Sequence, residues 1–498
     1  MLFNSPEFIF LFLPVVLMVY FSLSRMANKR PAKYWLVVAS LFFYGWWEVS
    51  YLVLILFSIV VNFYVGDFIL TFRESGRQKQ AKSLMIAGII FNASLLSYYK
   101  YANFVLENFA LVTSQDFHSL DIVLPLAISF FTFLQIAYLV DCYKDHDKRY
   151  DFLDYTLFVT FFPHLIAGPL IHHKQMMPQF LQRENWRFIS SNFSKGLFIF
   201  SLGLFKKMVI ADSFAVWATA GFDGDHVMTF FDAWGASLSY TFQLYYDFSG
   251  YSDMAIGASL MFNIVLPVNF NSPYKAVNIQ DFWRRWHITL SQWLRDYIYI
   301  PLGGNRGTQI GTSVNLFLTF LVGGVWHGAG WTFVIWGALH GGALVVHRFW
   351  QRAGFKMNML LGWFCTFMFV NFAWVYFRAQ NLEDAHRVIK GMIGLNGFEV
   401  SPRFVAMFGS AWEWVRIPAG PAVHFSTDLI FLPCLLAVGV LTLLAPNVTQ
   451  MTNFSQGYSG RFSYMKTVRF ATLAGVSGGV GAVLLFVSSS SEFLYFNF

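Results

Sequence analysis

Apolar residues along this chain fall in long unbroken blocks separated by short polar stretches, not in the one-faced rhythm of a soluble helix or strand. A helix needs about 20 apolar residues to cross a bilayer. Blocks near that length lie at 8–24, 34–47, 51–70, 83–99, 121–140, 152–171, 196–220, 230–262, 310–326, 331–350, 358–378, 426–445 and 467–489. Several are short or interrupted by proline, which suits re-entrant segments. The pattern predicts about ten to twelve true spans. No Ser/Gly linker, internal repeat or low-complexity tract divides the chain, so residues 1–498 read as one all-α polytopic membrane domain.

Composition agrees. The 498 residues are 56% hydrophobic, 20% aromatic and 12% charged, against roughly 25% charged in an ordinary soluble domain. That is too little charge to cover a water-facing surface, and it excludes a soluble enzyme, a disordered chain and a nucleic-acid binder. Three scattered cysteines, Cys142, Cys365 and Cys434, offer no disulfide framework and no CxxC pair, so no metal centre is expected.

The net charge of +7 is distributed as membrane topology requires. Arg25, Lys29, Arg30 and Lys33 follow the first block and nothing basic precedes it, which reads as a retained anchor, not a cleaved signal. Arg73, Arg77, Lys79 and Lys82 follow the third block, while Arg461, Lys466 and Arg469 precede the last. By the positive-inside bias both termini are expected outside the cytoplasm, with an even number of spans.

Three clusters carry polar residues that a bilayer tolerates poorly. YYDFSGYSD at 245–253 sets Asp247 and Asp253 beside an apolar stretch. In DFWRRWHITLSQWLRD, 281–296, the residues Phe282, Trp286, Leu290, Trp293 and Tyr297 recur at helical spacing, which predicts one amphipathic helix with Arg284, Arg285 and Arg295 off its apolar stripe. GGVWHGAGWTFVIWGALHGG, 323–342, holds His327 among glycines, with Gly324/Gly328 and Gly337/Gly341 four apart. Each feature also has an ordinary use. A lone histidine packs, GxxxG spacings bring helices together, and the two aspartates suit pairing with Arg284 or Arg285. His164, His172 and His173 read equally well as loop residues. A phosphate-binding GxxxxGK[ST] loop is missing, and the G-x-S-x-G at 475–479 lies inside the last apolar block, where a nucleophile elbow has no context.

Taken together, QLYYDFSGYSDMAIGASLMF (243–262), DFWRRWHITLSQWLRDYIYIPLGGNRG (281–307) and GGVWHGAGWTFVIWG (323–337) resemble the membrane-bound O-acyltransferase family. The nearest likeness is its bacterial alginate O-acetyltransferase-like branch, to which peptidoglycan and cellulose O-acetyltransferases are close. SFFTFLQIAYLVDCYK, FPHLIAGPLI and the start LFNSPEFIFLFLP fit the same branch, and residues 385–460 fit it least. The resemblance implies a ring of helices around a thin, tunnelled centre in the bacterial inner membrane. It implies that His327, in WHG, is catalytic and that His287, in WRRWH, is a second functional histidine, whether structural or donor-binding. It also implies an acetyl-CoA donor as substrate with no bound cofactor, an extracytoplasmic polysaccharide acceptor and a periplasmic partner of the SGNH-hydrolase-like type. Alginate is the favoured acceptor, with peptidoglycan and cellulose as alternatives.

The chemistry is consistent with that placement. A hydroxyl attacks a thioester only when a base takes its proton, and an imidazole kept neutral by apolar surroundings suits the task, an effect worth typically 10²–10⁴-fold. No cysteine or serine nucleophile is required. Arg284, Arg285, Arg295 and Arg306 suit the donor's phosphates, with Trp326 beside them in the donor assignment; their ordinary reading is topology alone.

The tail, 488–498, SSSSEFLYFNF, carries F-x-Y-x-x-F on the outer side. It resembles the C-terminal motif of the small membrane protein that serves the D-alanine-transferring relatives, where a tyrosine carries the acyl group. Tyr495 is therefore a candidate covalent carrier, although an aromatic tail also suits the lipid–water interface. Two other classes compete: a proton-coupled transporter or exporter, against which stands the absence of repeat symmetry, and a scaffold whose histidines only pack.

Overall fold

The computed structural model describes residues 1–144, 149–166, 168–224, 226–399, 430–452, 468–487 and 494. Over these the chain is helical and forms no β-strand. Five helices among the described residues have the length and apolarity to cross a bilayer: Ser50–Glu74, Gln78–Thr113, Gln309–His327, Met359–Arg378 and Val468–Val487. Glu7–Leu23 and Phe431–Leu444 are shorter apolar helices. This is an all-α, multi-pass membrane architecture. The tail residue Tyr495 lies outside the described residues.

The chain folds into two compact units, divided within one long helix. The first comprises Met1–Leu204, Tyr251–Val268 and the helix Val468–Val487. It begins with a π-helical turn, Glu7–Phe12, that runs into α1, Leu13–Leu23, followed by α2, Arg30–Gly45. Phe8, Phe12, Phe43 and Phe162 pack their rings 5.2–6.0 Å apart there. Helices α3 (Ser50–Glu74), α4 (Gln78–Thr113) and α5 (Ile128–Lys144) pack closely where glycine meets a large side chain. A Cβ on Gly88 would stand 2.5 Å from Leu139, and one on Gly66 would strike Tyr138. Without water, buried amides must find each other: Asn92 donates to Asn62 Oδ1 at 2.6 Å and Ser58 donates to Gln135 Oε1 at 3.0 Å.

The block 152–171 does not make one helix. It gives α6, Phe152–Thr160, and a single further turn, α7, Phe162–Leu165. Phe161 leaves the helix at ψ 109°, the Phe162 N–H donates to Ser40 Oγ of α2 at 3.1 Å, and Pro163 opens the new turn. The chain continues through a short turn, α8 (His173–Met176), to α9, Ser190–Phe205.

The second unit comprises Phe205–Gly250 and the described residues of 269–452. It holds α10 (Asp212–Phe222) and the first part of α11 (Phe230–Met261). Lys207, 1% exposed, binds Asp247 and Asp212, each at 2.7 Å. Asp247 is thus satisfied by Lys207 and not by the arginines of the next cluster, because a π-helical turn at Lys206–Ala211 delivers that lysine to it. Arg285 is held instead by Asp281, at 2.8 Å.

The amphipathic helix expected over 281–296 is broken. The structure has α12, Ile279–Trp283, and α13, Ile288–Leu294. Between them His287 takes a left-handed backbone, φ 41° and ψ 55°, and the Ile288 N–H donates to the Asn269 carbonyl at 3.0 Å. Phe282, Trp286 and Leu290 are buried nonetheless, so the apolar stripe survives the break. Beyond it, α14 (Gln309–His327) and α15 (Trp331–Arg352) form a tight antiparallel pair, followed by α16 (Met359–Arg378) and α17 (Leu382–Met392).

Candidate active site

His327 is the last residue of α14. The backbone turns extended at Gly328, and the Phe333 ring fills the space that a side chain there would need, so only glycine fits. Gly330 then caps α15, which begins at Trp331, so the turn folds α15 back along α14. His327 is 3% exposed and bracketed by rings: Trp326 at 4.9 Å, Trp336 at 5.0 Å and Phe377 at 5.1 Å. Trp326 therefore belongs to the surroundings of His327.

Trp336 has His340 beside it at 4.8 Å, one turn further along α15. His340 is fully buried and accepts a hydrogen bond at Nδ1 from the indole N–H of Trp283, 3.2 Å away. The same face of α15 continues to Leu344 and Arg348. Leu344, His347 and Arg348 line a cavity of about 480 Å³ together with Arg284, Arg295 and Trp283. Residues 336, 340, 344 and 348 are each four apart, which keeps them on one slowly turning stripe. One helix face therefore leads from His327's own ring contact to a basic cavity, about 18 Å along the axis.

Of the four arginines expected at the donor, Arg284 and Arg295 line this cavity, and Arg285 and Arg306 are not among its lining residues. Hydrogen bonding by Asp296 raises the Arg295 guanidinium above its ordinary value and keeps it charged. Arg285 is engaged by Asp281, as described. Arg348 contacts Asn305 Oδ1 at 3.4 Å. The sequence reading missed Arg348, His347 and His340, although their offsets of twelve, eleven and four residues from Trp336 were visible in the sequence.

His287 lies in the same unit, fully buried, with its ring edge-on to Phe248 at 4.8 Å. A path of ring contacts joins it to His327, through Phe270, Trp286, Trp374 and Trp336 in turn, with centroids 4.9–6.5 Å apart. A separate group in the first unit, Asp141, His172 and His173, also brings ligand-type atoms together. His172 Nε2 lies 2.8 Å from Asp141 Oδ2, the spacing of a hydrogen-bonded carboxylate–imidazole pair, and His173 Nδ1 lies 3.5 Å from the same oxygen.

Residues 84–383 match the model of the membrane-bound O-acyltransferase family. The chain is 47% identical to a peptidoglycan O-acetyltransferase of Helicobacter pylori, over all of this chain and 98% of that protein. It is 42% identical to a probable alginate O-acetylase of Pseudomonas aeruginosa over 80% of this chain and 76% of that one. A teichoic acid D-alanyltransferase of Streptococcus thermophilus is 26% identical over 47% of this chain and 59% of its own length.

Proposed function

The chain belongs to the membrane-bound O-acyltransferase family and is a membrane O-acetyltransferase, and from that premise we propose that it draws acetyl groups from cytoplasmic acetyl-CoA to modify an extracytoplasmic polysaccharide. The observation that carries this reading is the α15 face that joins a cationic cavity to His327. Arg284, Arg295 and Arg348 suit the phosphates of the donor. The thioester then lies along Trp283 and Trp336 toward His327. The imidazole of His327 takes the proton of the attacking hydroxyl, the hydroxyl oxygen bonds to the thioester carbon, the C–S bond breaks, and the proton passes to the departing thiolate. CoA and an acetyl ester result.

The first acceptor in this reading is the phenol of Tyr495, supported by the F-x-Y-x-x-F spacing of the tail. An extracytoplasmic partner of the SGNH-hydrolase-like type then moves the acetyl group to the polymer. Higher identity to a peptidoglycan O-acetyltransferase, 47%, than to a probable alginate O-acetylase, 42%, supports peptidoglycan as acceptor ahead of alginate, the acceptor that sequence reasoning favoured. The protein sits in the bacterial cytoplasmic membrane with both termini outside, as the loop charges suggest.

Reconstitution with labelled acetyl-CoA tests the reading. Wild-type protein is expected to release CoA and to hold label in its C-terminal peptide. A transporter or a scaffold would release none. Muropeptide and exopolysaccharide analysis of a deletion strain then names the acceptor by which ester disappears.

A further inference from the structure

Two fully buried histidines of the second unit, His287 and His340, are held by opposite hydrogen-bond logic. Asn269, 1% exposed, sits beside the break in which His287 lies. Segments 269–271 and 285–288 are pinned together by the Ile288 N–H on the Asn269 carbonyl at 3.0 Å and the Asn271 N–H on the Arg285 carbonyl at 2.9 Å. The Asn269 side chain then turns one atom, Oδ1, to three neighbours: the Thr289 N–H at 3.3 Å, the Thr289 hydroxyl at 3.0 Å and His287 Nδ1 at 3.1 Å.

Amide orientation is ordinarily a matter of assignment. Here the backbone fixes it, because a peptide N–H only donates and must face the amide oxygen, not its NH₂. An amide oxygen only accepts, so His287 Nδ1 must carry a hydrogen, and in the neutral ring the lone pair is then on Nε2. His340 is the mirror case. The indole N–H of Trp283 only donates, so His340 Nδ1 must carry the lone pair and Nε2 the hydrogen. That Nε2–H is buried and makes no hydrogen bond among the described residues, and such a donor is costly to leave unused.

We propose that Asn269 and Trp283 are positioning residues that lock His287 and His340 in opposite tautomers, His287 accepting at Nε2 and His340 donating at Nε2. This rests on the acetyl-transfer reading above. Beside the base His327, acyl transfer uses both kinds of group: an acceptor that orients a bonded hydroxyl or water, and a donor for the negative charge that develops on the thioester oxygen. The left-handed backbone of His287 is strained for a residue with a Cβ. The Asn269 clamp is what maintains it.

The test is ¹⁵N-histidine solid-state NMR on the full chain in lipid, with His287→Gln and His340→Gln used for assignment. One ring protonated at Nδ1 and one at Nε2 is the expected spectrum. Asn269→Leu keeps the volume but removes the acceptor, so it should erase the Nδ1–H signature of His287. It should also lower kcat about tenfold or more, the scale of losing a partner that orients a histidine, with the KM for acetyl-CoA unchanged. Asn269→Asp keeps an accepting oxygen and should restore the signature and most of kcat. Trp283→Phe should release His340 from its single tautomer. A His287 ring protonated only at Nε2, a His340 ring protonated at Nδ1, or a folded Asn269→Leu with wild-type kcat would overturn the proposal. If wild-type protein releases no CoA at all, the acetyl-transfer reading fails instead, and the spectra still decide the tautomers.

Discussion

Gly324 of α14 lies on Gly337 of α15 so closely that a Cβ on Gly324 would stand 2.8 Å from the Gly337 Cα and 2.5 Å from the Phe333 carbonyl oxygen. Gly341 repeats the contact one turn on, 3.0 Å from the Phe317 carbonyl oxygen. Because α15 carries Trp336 and Arg348 on one face, this contact sets His327 and the basic cavity in register.

Gly324→Ala and Gly337→Ala should each destabilise the folded protein by about 1–3 kcal/mol, the usual cost of overpacking. Gly342, beside which a Cβ would meet nothing within 4 Å, is the internal control, and Gly342→Ala should be silent. Thermal unfolding in detergent, followed by tryptophan fluorescence, reads the difference.

His327→Ala should reduce CoA release by roughly 10²–10⁴-fold, the range for loss of a general base. Its ring contacts are with Trp326, Trp336 and Phe377, so His327→Phe should preserve packing and remain equally inactive. Wild-type turnover by either variant would remove the base assignment.

Lys207 serves two carboxylates, and Lys207→Met strands both Asp247 and Asp212. Breaking a buried pair by removing one partner costs about 3–5 kcal/mol. Asp247→Asn leaves Lys207 with Asp212 and should cost less. Equal melting temperatures for the two variants would show that the lysine is not the hub of this group.

Arg348→Gln and Arg284→Gln should raise the KM for acetyl-CoA about tenfold each, the scale of one charge-assisted hydrogen bond, with little change in kcat. Arg285→Gln should leave that KM unchanged, because Arg285 does not line the cavity and its guanidinium is held by Asp281. Initial rates across a donor series, at two ionic strengths, separate the three.

Tyr495→Phe keeps the aromatic body of the tail and removes only the hydroxyl. It should abolish acetyl capture on the C-terminal peptide and acetylation of the polymer. Mass spectrometry of that peptide after incubation with labelled donor gives the answer, and full acetylation by Tyr495→Phe would mean that another group receives the acetyl from the thioester.

Apolar blocks and low charge were enough to mark a helical membrane protein, because a bilayer leaves the backbone few ways to satisfy itself. The three polar motifs were enough to mark its family, and they carried His327, His287, Arg284 and Arg295. Continuity was harder to read. The stripe Phe282–Trp286–Leu290 is helical in period, yet the chain breaks through it, because the N–H of Ile288 finds the Asn269 carbonyl, a partner that periodicity along 281–296 cannot reveal. Pairing was harder still. Asp247 was open to any of several cations by sequence, and a π-helical turn forty residues upstream chose Lys207. His340 and Arg348 were present in the sequence at the spacing of one face. Only the close glycine contact of α14 with α15 turned that spacing into a route from cavity to histidine, since what a helix face touches is decided by the neighbour against which it packs.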